Sequence, residues 1–224
     1  MAYLSPEKHE LVSDAVGNAE ATTSGEIVPV IAQRSDDYSD IALTWAAAIA
    51  FTAMSIFAAF PSPFLDFWDA TVADWGHEWT TGELASMTIA LGLIAFVGTW
   101  LLMLIPGLRI ALTPAPVKAQ RVRQRAIRHF KVGAEGRTHG RTGVLLYLSM
   151  QEHRAEIVAD DPIAVKVDAE VWGEAMADML DEIRKGCIAE GIAAGVRDVG
   201  VVLAQHFPRK DDDHNELPDR LIEL

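Results

Sequence analysis

Residues 41–60 read IALTWAAAIAFTAMSIFAAF, and residues 84–105 read LASMTIALGLIAFVGTWLLMLI. Neither stretch contains a charged residue. Each has about the ~20 residues that a helix needs to cross ~30 Å of hydrocarbon. Neither reads as a signal peptide, because about forty mostly polar residues precede the first and no positive region leads into it. The alternative is a pair of very apolar core helices in a soluble protein, but such helices normally carry a polar face. The sequence therefore predicts a two-helix transmembrane hairpin, with spans at 41–60 and 84–106 joined by a connector at 61–83.

The flanking charges orient this hairpin. The connector has no Lys or Arg and carries Asp66, Asp69, Asp74, Glu78 and Glu83. Directly after the second span come Arg109, Lys118, Arg121, Arg123, Arg125, Arg128 and Lys131. The positive-inside rule places the connector outside and both termini in the cytoplasm; in a bacterium the membrane is the inner one. The seven cations are also candidates for contact with anionic headgroups, each contributing about 1 kcal/mol near such a surface. Phe64, Phe67, Trp68, Trp75 and Trp79 suit an aromatic belt at headgroup level or a small external cap.

The remainder has the composition of a soluble domain. Of 224 residues, 23% are charged, and the formal net charge is -13, which argues against general affinity for nucleic acid. The single cysteine, Cys187, excludes an intrachain disulfide and a Cys-rich zinc site.

Ser5-Pro6-Glu7 is a helix start, followed by Leu11, Val12, Ala15, Val16 and Ala19 at helical spacing. After the break at 22–25, residues 26–32 read as a strand that Pro29 pushes towards an edge or a bulge. Residues 117–132 form an amphipathic basic helix ended by Gly133 and Gly136. Residues 143–150 form a buried strand, 151–153 a turn and 154–160 a partner strand. Two helices follow, from Asp168 and from near Ile188. The tail, 208–224, reads as polar and loosely held.

The first forty residues are too few for a core of their own. Two spans return the chain to the side it left, so residues 1–40 and 107–207 can form one domain that the hairpin interrupts. Its first strand, basic helix and 143–150 strand would make a right-handed parallel crossover.

Three segments together resemble the TPM domain, also called the thylakoid-lumen phosphatase-like or repair family. They are Thr23-Ser24-Gly25-Glu26-Ile27-Val28-Pro29-Val30, Gly140 to Leu148, and Arg154 to Asp160. The resemblance implies a three-layer α/β/α sandwich around a small mixed sheet. It also implies that some relatives act as phosphatases and that others bind divalent cations through acidic loops. Arg141-Thr142 stands where the family has an asparagine-rich approach, and Asp160-Asp161-Pro162 replaces its glycine-tyrosine-glycine turn.

Hard cations want several oxygen ligands. Asp36, Asp37 and Glu152 fall at one edge of the expected sheet, and Asp160, Asp161 and Asp168 at the other. Weakly held Ca²⁺ or Mg²⁺ is the cofactor that such a donor set suits. No Gly-x-Ser-x-Gly, P-loop or His-rich spacing is present. The sequence thus predicts a membrane-anchored module facing the cytoplasm. It binds the bilayer through two spans and a protein partner that the sequence does not identify. A metal-assisted phosphatase acting through the acidic loops is the alternative.

Overall fold

The computed structural model describes residues 4–71, 78–133, 142–209 and 216–224. Expectations resting on Asp74, Trp75, Gly136, Gly140 and Arg141 lie outside the described residues. The chain divides into two compact units, Met1–Asp36 with Ala115–Leu224, and Asp37–Pro114.

The first unit begins with α1 (Pro6–Glu20), capped by the Ser5 hydroxyl, and β1 (Glu26–Ala32). In the second unit, α2 (Ser39–Ala59), α3 (Ser62–Thr71), α4 (Thr81–Leu102) and α5 (Pro106–Ala111) follow in order. The chain then re-enters the first unit through α6 (Ala115–Gly133), β2 (Gly143–Ser149) and β3 (Arg154–Ala159). It ends with α7 (Asp161–Ala164), α8 (Ala169–Arg184), α9 (Ile188–His206) and β4 (Ile222–Glu223).

Among the described residues the sheet has the order β3-β2-β1-β4. β1 runs parallel to β2 and β4, and β2 runs antiparallel to β3, so the sheet is mixed. Side chains alternate across it. Ile27, Ile31, Val144, Leu146 and Leu148 pack with α1, α8 and α9. Val28, Val30, Ala32, Leu145 and Tyr147 pack beneath α6 through Val122, Ala126 and Phe130. This is the three-layer α/β/α arrangement expected from the resemblance. Close packing of α9 on α1 depends on Gly200, where a Cβ would stand 2.6 Å from that of Ala19.

Two details differ from expectation. The end of the tail, residues 216–224, is not loose: Leu217 and Leu221 are buried, and Ile222 and Glu223 pair with Val30 and Ile31. Its few apolar residues show no periodicity, yet Leu217 and Leu221 join the two cores that flank the sheet, while Leu224 stays exposed. β1 lies inside the sheet despite Pro29. Glu26 N–H donates to Thr142, on the β2 side, so Ile27, Pro29 and Ile31 point their backbone groups the other way. β4 reaches only Val30 and Ile31. The missing donor of Pro29 thus falls where β1 has no strand neighbour among the described residues, the local edge that a proline tolerates.

In the second unit, α2 and α4 are both long and apolar enough to cross a membrane, with most of their side chains exposed. Ala42, Ala46 and Ala50 are buried on α2, and Gly92 and Thr99 on α4. Leu43, Ile49, Phe51, Ile56, Leu93, Ile94 and Leu101 point outward. Thr80 and Glu83 form a capping box at the start of α4. α3 occupies the connector, and Phe64 meets Phe57 edge-on at 5.7 Å.

Candidate functional site

The expected acidic residues divide between the two ends of the sheet, as strand polarity requires. At the end where β1 and β2 finish, Glu152 is buried. Its Oε1 accepts the Ser35 N–H at 2.9 Å, and its Oε2 accepts the Ser149 hydroxyl at 2.5 Å. The Ser35 hydroxyl joins Ser149 at 2.8 Å and Tyr147 at 3.1 Å. Asp36 pairs with Arg121 at 3.2 Å, and Asp37 is exposed at the start of the second unit.

At the opposite end, Asp160 is buried. Its Oδ2 accepts the Gly143 N–H at 3.0 Å, and its own N–H donates to Gly143. Asp161 and Asp168 are exposed at the starts of α7 and α8. Asp168 occupies the N-cap position without a side-chain cap bond. Among the described residues, no three His, Cys, Asp or Glu side chains gather closely enough to hold a metal ion.

The buried cluster around Glu152 joins the segment after β1 to the β2–β3 turn. Burial pushes the Tyr147 hydroxyl up from its ordinary range, partly offset by the Ser35 hydrogen bond and by Arg125. His129 of α6 stacks on Tyr147 with ring centroids 6.0 Å apart. Burial, followed by the nearby Arg125 charge, lowers its pKa. Ser149 and Tyr147 have no solvent exposure. A nucleophile or proton donor must reach a substrate, and these groups do not. Their observed role is to satisfy one another inside a tightly packed edge.

The basic residues are also divided. Arg109 lies on α5 in the second unit, and the other six lie on α6. Arg121 is engaged by Asp36, Arg123 lies 4.0 Å from Glu156, and Arg125 acts on Tyr147 and His129. Lys118 is half-buried, while Arg128 and Lys131 are exposed.

A further carboxylate group was not legible from local pattern. Glu20, at the end of α1, accepts the Ile27 N–H at 2.7 Å. Burial pushes its carboxyl up to about 9, against the pull of that N–H and helped by Glu26 and Asp219. Glu26 accepts the N–H groups of Glu216 and Leu217 at 3.4 and 3.2 Å, and burial raises its pKa too. These bonds fasten the C-terminal segment to the start of β1. The only local signal was two glutamates flanking the 22–25 break.

A family model of the TPM domain matches residues 108–202. That segment is similar to the TPM domain. The matched segment holds β2, β3 and α6 to most of α9, whereas α1, β1 and β4 complete the same unit from outside it. The chain is also similar to the BA42 protein of the psychrophilic bacterium Bizionia argentinensis, whose structure was determined by NMR. The two share 18% identity and a TM-score of 0.57, covering 100% of this chain and 97% of that one. At that identity the likeness is one of fold. No curated protein matches the sequence.

Proposed function

We propose that this TPM-like protein is a membrane-anchored binding module. In this reading α2 and α4 span the bilayer and the α/β/α unit faces the cytoplasm. The supporting observation is the construction of the second unit. Ala42, Ala46, Ala50, Gly92 and Thr99 are buried on α2 and α4 alongside one large side chain, Phe57, while most of the other large apolar side chains face outward. A soluble helical pair would reverse that pattern, whereas lipid rewards it. The Lys/Arg asymmetry then sets the direction, and Arg128 and Lys131 are among the exposed α6 cations that could meet anionic headgroups.

Binding is favoured over catalysis because the carboxylates of the sheet ends serve internal hydrogen bonds or stand apart. A metal-assisted phosphatase would need several of them around one ion, with a water held in line with the ester.

Reporter fusions test the anchored topology. A reporter after Leu224 should read as cytoplasmic and one inserted in the 61–83 connector as external. The reverse pattern would overturn the orientation, and extraction of the protein by alkaline carbonate would overturn the spans.

A further inference from the structure

Among the described residues β3 is the outer strand of the sheet, and no strand pairs with its far side. The Asp160 N–H donates to Gly143, which sets the phase of the antiparallel ladder. Val158, Glu156 and Arg154 therefore direct their backbone groups at β2. Ala155, Ile157 and Ala159 direct theirs outward, and none makes a backbone hydrogen bond beyond the β2 ladder among the described residues. β3 contains no proline or lysine of the kind that blunts exposed edges.

A groove of about 360 Å³ runs along this edge. Arg123 and Ile127 of α6 form one wall, and Trp172 and Met176 of α8 the other. The walls lie on opposite faces of the sheet, since Val158 packs on the α6 side and Ile157 and Ala159 on the α8 side. An extended segment paired with β3 would send alternate side chains to each wall.

The walls differ in chemistry. On the α6 side the Arg123 side chain is 72% exposed and reaches Glu156 only at 4.0 Å. Arg154 shares that face of β3. The α8 side is apolar. We propose that β3 accepts an extended peptide segment of alternating apolar and acidic residues as an added strand. The acidic side chains meet Arg123, and the apolar ones meet Trp172 and Met176. A second copy of this chain suits the edge less well, because two-fold pairing of β3 would bring two Arg123-bearing helices together on one face. The proposal rests on the binding-module reading of the TPM-like unit and is independent of the membrane spans.

The probe is a fluorescent, end-capped heptapeptide alternating valine and glutamate, titrated onto the full chain in detergent micelles. Saturable binding is expected. N-methylation of the peptide residues whose N–H groups face β3 should weaken it at least tenfold, and N-methylation in the opposite phase should not. Arg123→Glu should weaken the glutamate peptide at least tenfold and strengthen its lysine counterpart. Ile157→Pro, which removes an outward donor, should abolish binding with the far-UV dichroism unchanged. The N-methyl series decides the matter if that variant fails to fold. Absence of saturable binding, or equal binding of both N-methylated phases, overturns the proposal. So does dimerisation of the chain blocked by Ile157→Pro without peptide binding, which would make a second copy the occupant.

Discussion

A Cβ placed on Gly92 of α4 would stand 2.5 Å from the Met54 sulfur of α2. The Met54 side chain therefore packs directly over the bare backbone at residue 92. Gly98, on the same helix, has nothing within 4 Å of its would-be Cβ. Gly92→Val should destabilise the hairpin by about 1–3 kcal/mol, the usual cost of overpacking. Gly98→Val should change little. Thermal unfolding of both variants in the same detergent distinguishes them, and equal tolerance would refute this account of the packing.

The interrupted α/β/α unit should fold without the insertion. β1 pairs with β2 over seven positions, from Glu26 with Gly143 to Ala32 with Ser149, and residues 37–114 form a unit of their own. Replacing 41–106 by a short flexible linker should give a soluble protein with a dispersed amide spectrum. Deleting residues 1–34 should instead leave it unfolded, because α1 and an inner strand are lost. A collapsed spectrum from the linker variant would count against the interruption.

Stability should fall as pH rises from about 4.5 to about 9. Glu20 is held protonated in the folded state up to about 9, against an ordinary value of 4.5. Between these limits the folded state carries the extra proton, so raising the pH favours unfolding. One such proton gives a slope of at most about 1.4 kcal/mol per pH unit. Glu20→Gln keeps an acceptor for the Ile27 N–H and removes the titration. Its urea midpoint should vary less between pH 5 and 9 than that of the wild type. Identical pH profiles would show that Glu20 ionises freely.

Glu152→Ala should cost about 2–4 kcal/mol, since it strands the buried Ser35 N–H and the Ser149 hydroxyl. Both Glu152 oxygens already accept hydrogen bonds. Millimolar Ca²⁺ or Mg²⁺ should therefore leave the Ser35, Ser149 and Glu152 amide resonances in place. Saturable shifts at those three amides would restore the metal reading of this edge, and urea denaturation of the variant measures the cost.

Much of the first unit was legible because its helices and strands are marked locally. Val122, Ala126 and Phe130 recur on one face of α6, and Ile192, Val196, Val199 and Leu203 do so on α9. Short α7 and two-residue β4 left no such mark, since neither is long enough to show a period. Strand direction alone places Glu152 where β1 and β2 end and Asp160 at the opposite end of the sheet. Their burial was not legible: Asp160 and Glu152 are interior, while Asp161 and Asp168, equally acidic and close by, are exposed.

Composition and spacing by themselves determined that two helices are long and apolar enough to cross a bilayer, and that a helix-rich α/β unit surrounds them in sequence. These properties follow from runs and periods within one segment. Only the tertiary structure decided which polar groups are consumed by the fold. Ser35 meets Ser149, Glu26 holds Glu216 and Leu217, and Arg121 takes Asp36. Each partner lies tens of residues or more away along the chain, so no local period encodes the pairing. The burial that makes each bond strong exists only after the layers have closed.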